Sequence, residues 1–191
     1  MDFHTLCIGC RTYRRFKQKQ IPEKVLDELL ENARIANSAM NRQPLRYVLV
    51  KNPEVVRKIQ PCFHFAAALP KELGQPKEGE QPTAFIILCT EGPETPWTGI
   101  DIGIAVRTMN LNAYIYGIGS CIIGNVEFEK VNEILSIPET WIPRLALALG
   151  YSSHKSTIVE LPEDGSVKYY LDEERQYYVP KRKRKDISII R

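Results

Sequence analysis

Apolar residues at Val25, Leu26, Leu29, Leu30, Ala33 and Ala36 recur at three- and four-residue steps behind Pro22, which predicts an amphipathic helix opened by that proline. Arg46–Lys51 and Thr83–Thr90 are short runs rich in β-branched and aromatic residues and predict two strands of one sheet. The second is apolar enough to lie centrally. Pro53–Ile59 reads as a short helix, and Pro70–Pro82, rich in Pro, Gly, Lys and Glu, reads as a solvated loop of the kind that covers pockets. Ile100–Tyr116, largely apolar with Gly103, Ala105 and Ala113 among its small residues, predicts a helix buried on several sides and stopped by Gly117. A further helix is expected over Phe128–Leu135, ended by Pro138, and a buried strand over Arg144–Gly150. Val167–Leu171 and Gln176–Val179 flank a charged turn and form either a small β-ribbon or an extended arm, followed by the basic run Pro180–Lys185. No internal repeat interrupts the series, and residues 1–191 read as a single domain.

Composition narrows the classes open to such a chain. With 43% hydrophobic and 26% charged residues over 191 positions, it can bury a real core. A formal net charge of +3 is too small for the bulk basic character of a non-specific nucleic-acid binder, so local patches matter more than the total. The opening lacks the basic-then-apolar pattern of a signal peptide, and the charge-free stretch Thr108–Val126 is broken by asparagines and glycines, unlike a membrane span. A cytoplasmic protein with no membrane partner is expected. The odd set Cys7, Cys10, Cys62, Cys89 and Cys121 has no disulfide-framework spacing and fits reduced thiols. Cys7 and Cys10 lack the strand-turn-helix setting of a redox pair and the further ligands of a metal site, and His4, His64 and His154 are scattered, so no metal is expected.

Four runs carry candidate chemistry, each with a plainer reading beside it. In Arg11-Thr12-Tyr13-Arg14-Arg15-Phe16, alternation along an extended segment would set Arg11 and a later arginine at an odd position on one face, where guanidiniums and a hydroxyl hold phosphate. A solvated basic turn has the same composition. Ala36-Asn37-Ser38-Ala39-Met40-Asn41-Arg42-Gln43-Pro44 offers amides that suit the edge of a heteroaromatic ring, or simply caps a helix before a proline. Gly117–Asn125 is glycine-rich, which permits close approach to a flat ligand or merely joins helix to strand, and it lacks a dinucleotide fingerprint. Lys181–Lys185 is a solvated tail or a nucleic-acid patch.

Taken in order, these runs resemble the nitroreductase family over nearly the whole chain. Cys10–Phe16 is similar to the family's opening Arg-Arg-Ser-x-Arg-x-Phe, and Ser38–Pro44 to its Ser-Ala-x-Asn-x-Gln-Pro. Gly117–Gly124 resembles its Gly-Leu-Gly-x-x-x-Ile-Gly turn, and Val179–Arg182 the Val-Pro-Lys-Arg ending of short members.

The resemblance implies an α+β fold with a central, mostly antiparallel sheet flanked by helices, and a homodimer with an extended C-terminal arm and two interfacial FMN sites. On that reading Arg11, Thr12 and Arg14 hold the phosphate, ribityl chain and pyrimidine edge, and Lys181 and Arg182 complete the phosphate site. Ser38, Asn41 and Gln43 contact the flavin from the partner subunit, while Ile122, Ile123 and Gly124 line its ring. NAD(P)H is the electron donor and a nitroaromatic, quinone or similar small molecule the acceptor, in ping-pong order. The flavin carries the chemistry, so no catalytic side chain is expected. Cys10 stands where many members have a basic residue, which moves phosphate charge onto Arg11 and the tail, and Leu45 stands where many have tryptophan, leaving the substrate pocket less defined. A flavin-binding protein without turnover, or a nucleic-acid module using both basic clusters, are the alternatives.

Overall fold

The computed structural model describes residues 1–191, the side chain of Lys71 excepted. Its centre is an antiparallel sheet of β1 (Phe16–Lys17), β2 (Leu45–Val50), β3 (Ala84–Glu91), β4 (Ile118–Ile123) and β5 (Trp141–Ser152). β5 pairs with β3, with β4 and, at its C-terminal end, with β1, while β2 pairs with β3. The apolar run at 83–90 thus becomes the buried β3, flanked by β2 and β5.

Strand alternation gives this sheet two buried faces. Ala84, Ile86, Leu88, Ile118, Leu147 and Leu149 point to one side and meet α2 (Glu23–Arg34) and α5 (Thr98–Ile115). Phe85, Ile87, Cys89, Cys121, Ile123, Ala146 and Ala148 point to the other, where they meet α3 (Pro53–Ile59) and α6 (Phe128–Leu135). Val25, Leu26, Leu29 and Ala33 are the buried stripe of α2, as the helical spacing requires. Gly117 takes the left-handed conformation at φ 70° just past α5, which is why the helix stops there.

Several elements differ from the sequence expectation. The glycine-rich run at 117–125 is a strand, β4, over most of its length rather than a turn. Its glycine at 119 lies opposite Gly150 of β5. A Cβ on Gly119 would sit 2.8 Å from Tyr13, and one on Gly150 would sit 2.8 Å from Phe16. Both glycines therefore let the segment 11–16 lie flat across the sheet. A short helix, α1 (Phe3–Gly9), precedes that segment and is capped by Asp2, whose carboxylate accepts from Thr5 N–H at 3.1 Å. The loop expected at 70–82 begins with one helical turn, α4 (Lys71–Gly74).

The C-terminal region forms a second sheet. β6 (Ser156–Glu160) runs parallel to β8 (Tyr177–Lys181), and β7 (Tyr170–Leu171) pairs antiparallel with β8. This holds Lys181 beside the chain's own N-terminal segment. Among the described residues no helix is long and apolar enough to cross a membrane.

Candidate functional site

The N-terminal arginine segment crosses the sheet with Thr12 bridged in parallel to Ser120, and Tyr13 N–H donates to the Ser120 carbonyl at 2.8 Å. An extended backbone alternates its side chains, so Thr12 and Arg14 face a cavity while Tyr13 and Arg15 face away. Tyr13 is buried and its hydroxyl donates to the Gly9 carbonyl at 2.9 Å. Arg15, also buried, donates to the Arg175 carbonyl and lies 4.0 Å from Glu80, which Arg175 grips with two hydrogen bonds of 2.9 and 3.1 Å. Burial, reinforced by Arg175, pulls the Arg15 pKa down. Arg11 thus shares the cavity with Arg14 and not with Arg15, which alternation along residues 12–15 turns away from it.

The cavity encloses about 350 Å³. That is within the usual size of small-molecule sites, roughly 300–1,000 Å³. Its cations are Arg11, Arg14, Arg107 and Lys181, and no carboxylate among the described residues lines it. Arg11 Nη2 donates to the Cys7 carbonyl at the end of α1 at 2.7 Å. Arg14 is held over the rings of Tyr169 and Tyr177, 4.6 and 4.9 Å from their centroids, a cation–π clamp that fixes its direction. The Nε atoms of Arg11 and Arg14 are both buried without a hydrogen-bond partner. Unneutralised guanidiniums gathered in one cavity with free donors are the electrostatic complement of an anion, and phosphate takes such forks in pairs. Beside them, Ile102, Val106, Ile122, Leu145 and Val179 make an apolar wall. Ser120 Oγ donates to Asn110 Oδ1 at 3.0 Å, and Cys10 Sγ donates to the Asn110 carbonyl at 3.3 Å. Burial pushes the Cys10 thiol up, against the pull of Arg107 and Arg11, so it stays neutral.

Five of the sequence candidates therefore meet in one place: Arg11, Thr12, Arg14, Ile122 and Lys181. Others lie elsewhere. Ile123 is 3% exposed and turned into the core by strand alternation, whereas Ile122 is 50% exposed on the cavity side. Gly124 follows β4 with nothing within 4 Å of an added Cβ, and Arg182 is exposed just beyond β8. Ser38, Asn41 and Gln43 form a separate loop. Asp101, 3% exposed, accepts from Ser38 Oγ at 3.0 Å and from Ala39 N–H at 2.9 Å, and Ser38 Oγ accepts from Gln43 N–H at 3.0 Å. Met40, Asn41 and Gln43 all have positive φ near 50°, a strained arrangement that presents the Asn41 and Gln43 amides outward, linked to one another at 3.1 Å. Ser38 thus shapes the loop, and the amides are its exposed chemistry.

Sequence reasoning missed Arg107, Tyr169 and the role of Asp101. A signal existed for two of them. Asp101 and Arg107 are the only charged residues of α5; the buried Asp101 holds the Ser38 loop and the exposed Arg107 lines the cavity.

An α+β protein with a cation-lined cavity set at the edge of an antiparallel sheet is the class that fold and site define. The nitroreductase family model matches residues 9–151, and the chain belongs to that family. It is 29% identical over 148 residues to a putative NADH dehydrogenase/NAD(P)H nitroreductase of Methanothermobacter thermautotrophicus, covering 74% of this chain and 72% of that protein. It is 26% identical over 159 residues to an FMN reductase (NADPH) of Bacillus subtilis, covering 76% of this chain and 64% of the relative. Its fold is that of a nitroreductase family protein from Streptococcus pneumoniae, with a TM-score of 0.68 at 21% identity over 87% of this chain and 99% of that one.

Proposed function

We propose that this chain is an FMN-dependent NAD(P)H oxidoreductase that acts as a homodimer on small electron acceptors of the nitroaromatic or quinone class. The observation that carries the reading is the cavity's pairing of acid-free cations, two with unpartnered buried Nε atoms, with an apolar wall. A phosphate on a flat apolar ring fits both halves. FMN, when bound, supplies the two-electron chemistry between NAD(P)H and the acceptor, in ping-pong order. Arg11 and Lys181 hold the phosphate end, with Arg182 approaching from the end of β8. Arg14, fixed by Tyr169 and Tyr177, sets a positive charge at the polar edge of the ring and favours the extra negative charge that reduction brings. Thr12 offers its hydroxyl to the chain between ring and phosphate, and Ile122 packs the ring's face with the backbone of Ile123 and Gly124 beyond it.

The homodimer is argued from α5. On one stripe of that helix Ile100, Ile104 and Ile115 are exposed, joined by Trp97 at its start, with the exposed Arg107 between them. A second copy placed on this stripe would bring its Ser38–Gln43 loop toward the cavity, and the exposed Asn41 and Gln43 amides would meet the ring. The apolar Ile187, Ile189 and Ile190, all exposed, would form the arm that lies on the partner. The proposal takes residues 1–191 as one domain and the cytoplasm as its place, in keeping with its five free cysteines. A nucleic-acid reading loses its first cluster, since Arg11 and Arg14 line the cavity and Arg15 is buried. The test is an absorption spectrum of purified protein. A flavin spectrum that bleaches with NADH or NADPH and returns with a quinone is expected, and a colourless protein that takes up no FMN would refute it. Retained colour without NAD(P)H oxidation would leave a flavin-binding protein without turnover.

A further inference from the structure

The cavity holds one cation that no sequence motif accounts for. Arg107 reaches it from the middle of α5, and Gly103, one turn earlier on the same helix, also lines it. A Cβ on Gly103 would meet nothing within 4 Å, so the wall beside Arg107 is left open. Among the described residues Arg107 has no carboxylate within 4.0 Å, and the partner of its guanidinium is the Cys10 thiol, with Nη1 to Sγ at 3.4 Å. A neutral thiol is a weak acceptor and leaves most of the five guanidinium donors free. The residue thus enters the cavity at its Cys10–Arg11 corner, whereas Arg14 is fixed against the aromatic rings of Tyr169 and Tyr177.

We infer that Arg107 is a phosphate anchor, supplying from the helix the positive charge that position 10 does not carry. A phosphate monoester has a charge of about −1.5 to −2 at neutral pH, which Arg11 alone does not balance. Arg11, Arg107 and Lys181 come from the segment after α1, from α5 and from β8 and line the same cavity, where one anion would meet all three. Cys10, small and neutral, leaves the room that the Arg107 guanidinium occupies. The inference rests on the flavin reading above and adds to it the discrimination between a phosphorylated flavin and its dephosphorylated form.

The experiment titrates apoprotein with FMN and with riboflavin, following flavin fluorescence, for wild type, Arg107→Ala, Arg107→Lys and the double variant Cys10→Arg/Arg107→Ala. A lost charge-assisted hydrogen bond corresponds to an affinity loss of about 10- to 100-fold. Arg107→Ala is expected to lose that much affinity for FMN while riboflavin changes less than about threefold, and Arg107→Lys is expected to fall between. The double variant is expected to recover most of the FMN affinity, because the charge returns from the other side of the same contact. Equal weakening of both flavins in Arg107→Ala, or no weakening of either, overturns the inference while wild-type preference for FMN leaves the flavin reading intact. Wild-type protein that binds neither flavin overturns both.

Discussion

His154 makes stability depend on pH in a way that one substitution isolates. The ring is 7% exposed, packed between Tyr13 at 5.5 Å and Tyr177 at 4.9 Å, and neither nitrogen has a hydrogen-bond partner among the described residues. Burial, together with the charge of Arg15, lowers its pKa from 6.5 to about 3. The folded state therefore excludes a proton that the unfolded chain accepts. Stability from this group is complete above the unfolded pKa and drains away as pH falls from about 6.5 toward 3. The slope approaches about 1.4 kcal/mol per pH unit, so lowering the pH from about 7.5 to about 4.5 removes roughly 2.5 kcal/mol through this one residue. Carboxylates also lose stability in acid, among them Glu80, whose burial opposes ionisation but whose hydrogen bonds from Arg175 hold its pKa low. His154→Phe keeps a ring between the two tyrosines and removes the titration alone. Urea unfolding of both proteins at the two pH values gives the test. The wild type should lose roughly 2.5 kcal/mol more than the variant between them. Parallel losses would refute the account and show that His154 is protonated in the fold.

Other substitutions probe the loop and the cavity. Asp101→Ala removes both hydrogen bonds that hold the Ser38 loop and should cost about 2–4 kcal/mol locally, seen as faster proteolysis at residues 38–43 and weaker flavin binding with helices unchanged by circular dichroism. Gly119→Val drives a branched side chain into Tyr13 and should lower stability by about 1–3 kcal/mol in thermal unfolding while loosening the arginine segment, read as weaker FMN binding. Gly103→Leu should do the reverse to stability. It gains up to about 1 kcal/mol of helix propensity yet fills the open wall beside Arg107, so unfolding temperature rises while flavin affinity falls at least about tenfold.

Periodicity and punctuation made most of this fold legible. The stripe from Val25 to Ala33, the apolar run of β3 and the stop at Gly117 are local signals that tertiary packing left in place. Gly119 shows where such reading fails. A glycine in a strand looks like a turn until its cross-strand neighbour and the ring lying over it are known. α1 has too few residues for a helical period, and the polar, half-exposed Ser156–Glu160 gives too weak an alternation to announce β6. At the site, Arg11, Arg14 and Lys181 were readable through the order of motifs, and Arg15 fell away because alternation turns it inward. Arg107 stood out only as one of two charges in α5, and its role is not readable until Cys10 is placed beside it.

The tie between Arg15 and the Arg175 carbonyl spans 160 residues of sequence, and the cavity repeats that reach, since Cys10, Arg11, Thr12 and Arg14 meet helix α5, β4, β5, Tyr169 and β8 there. Contacts so distant cannot close until the intervening chain has been made. During synthesis, then, a ribosome-bound chain ending before Tyr169 carries Arg14 without its clamp. On the flavin reading proposed above, uptake would report that the last strand, β8, has docked.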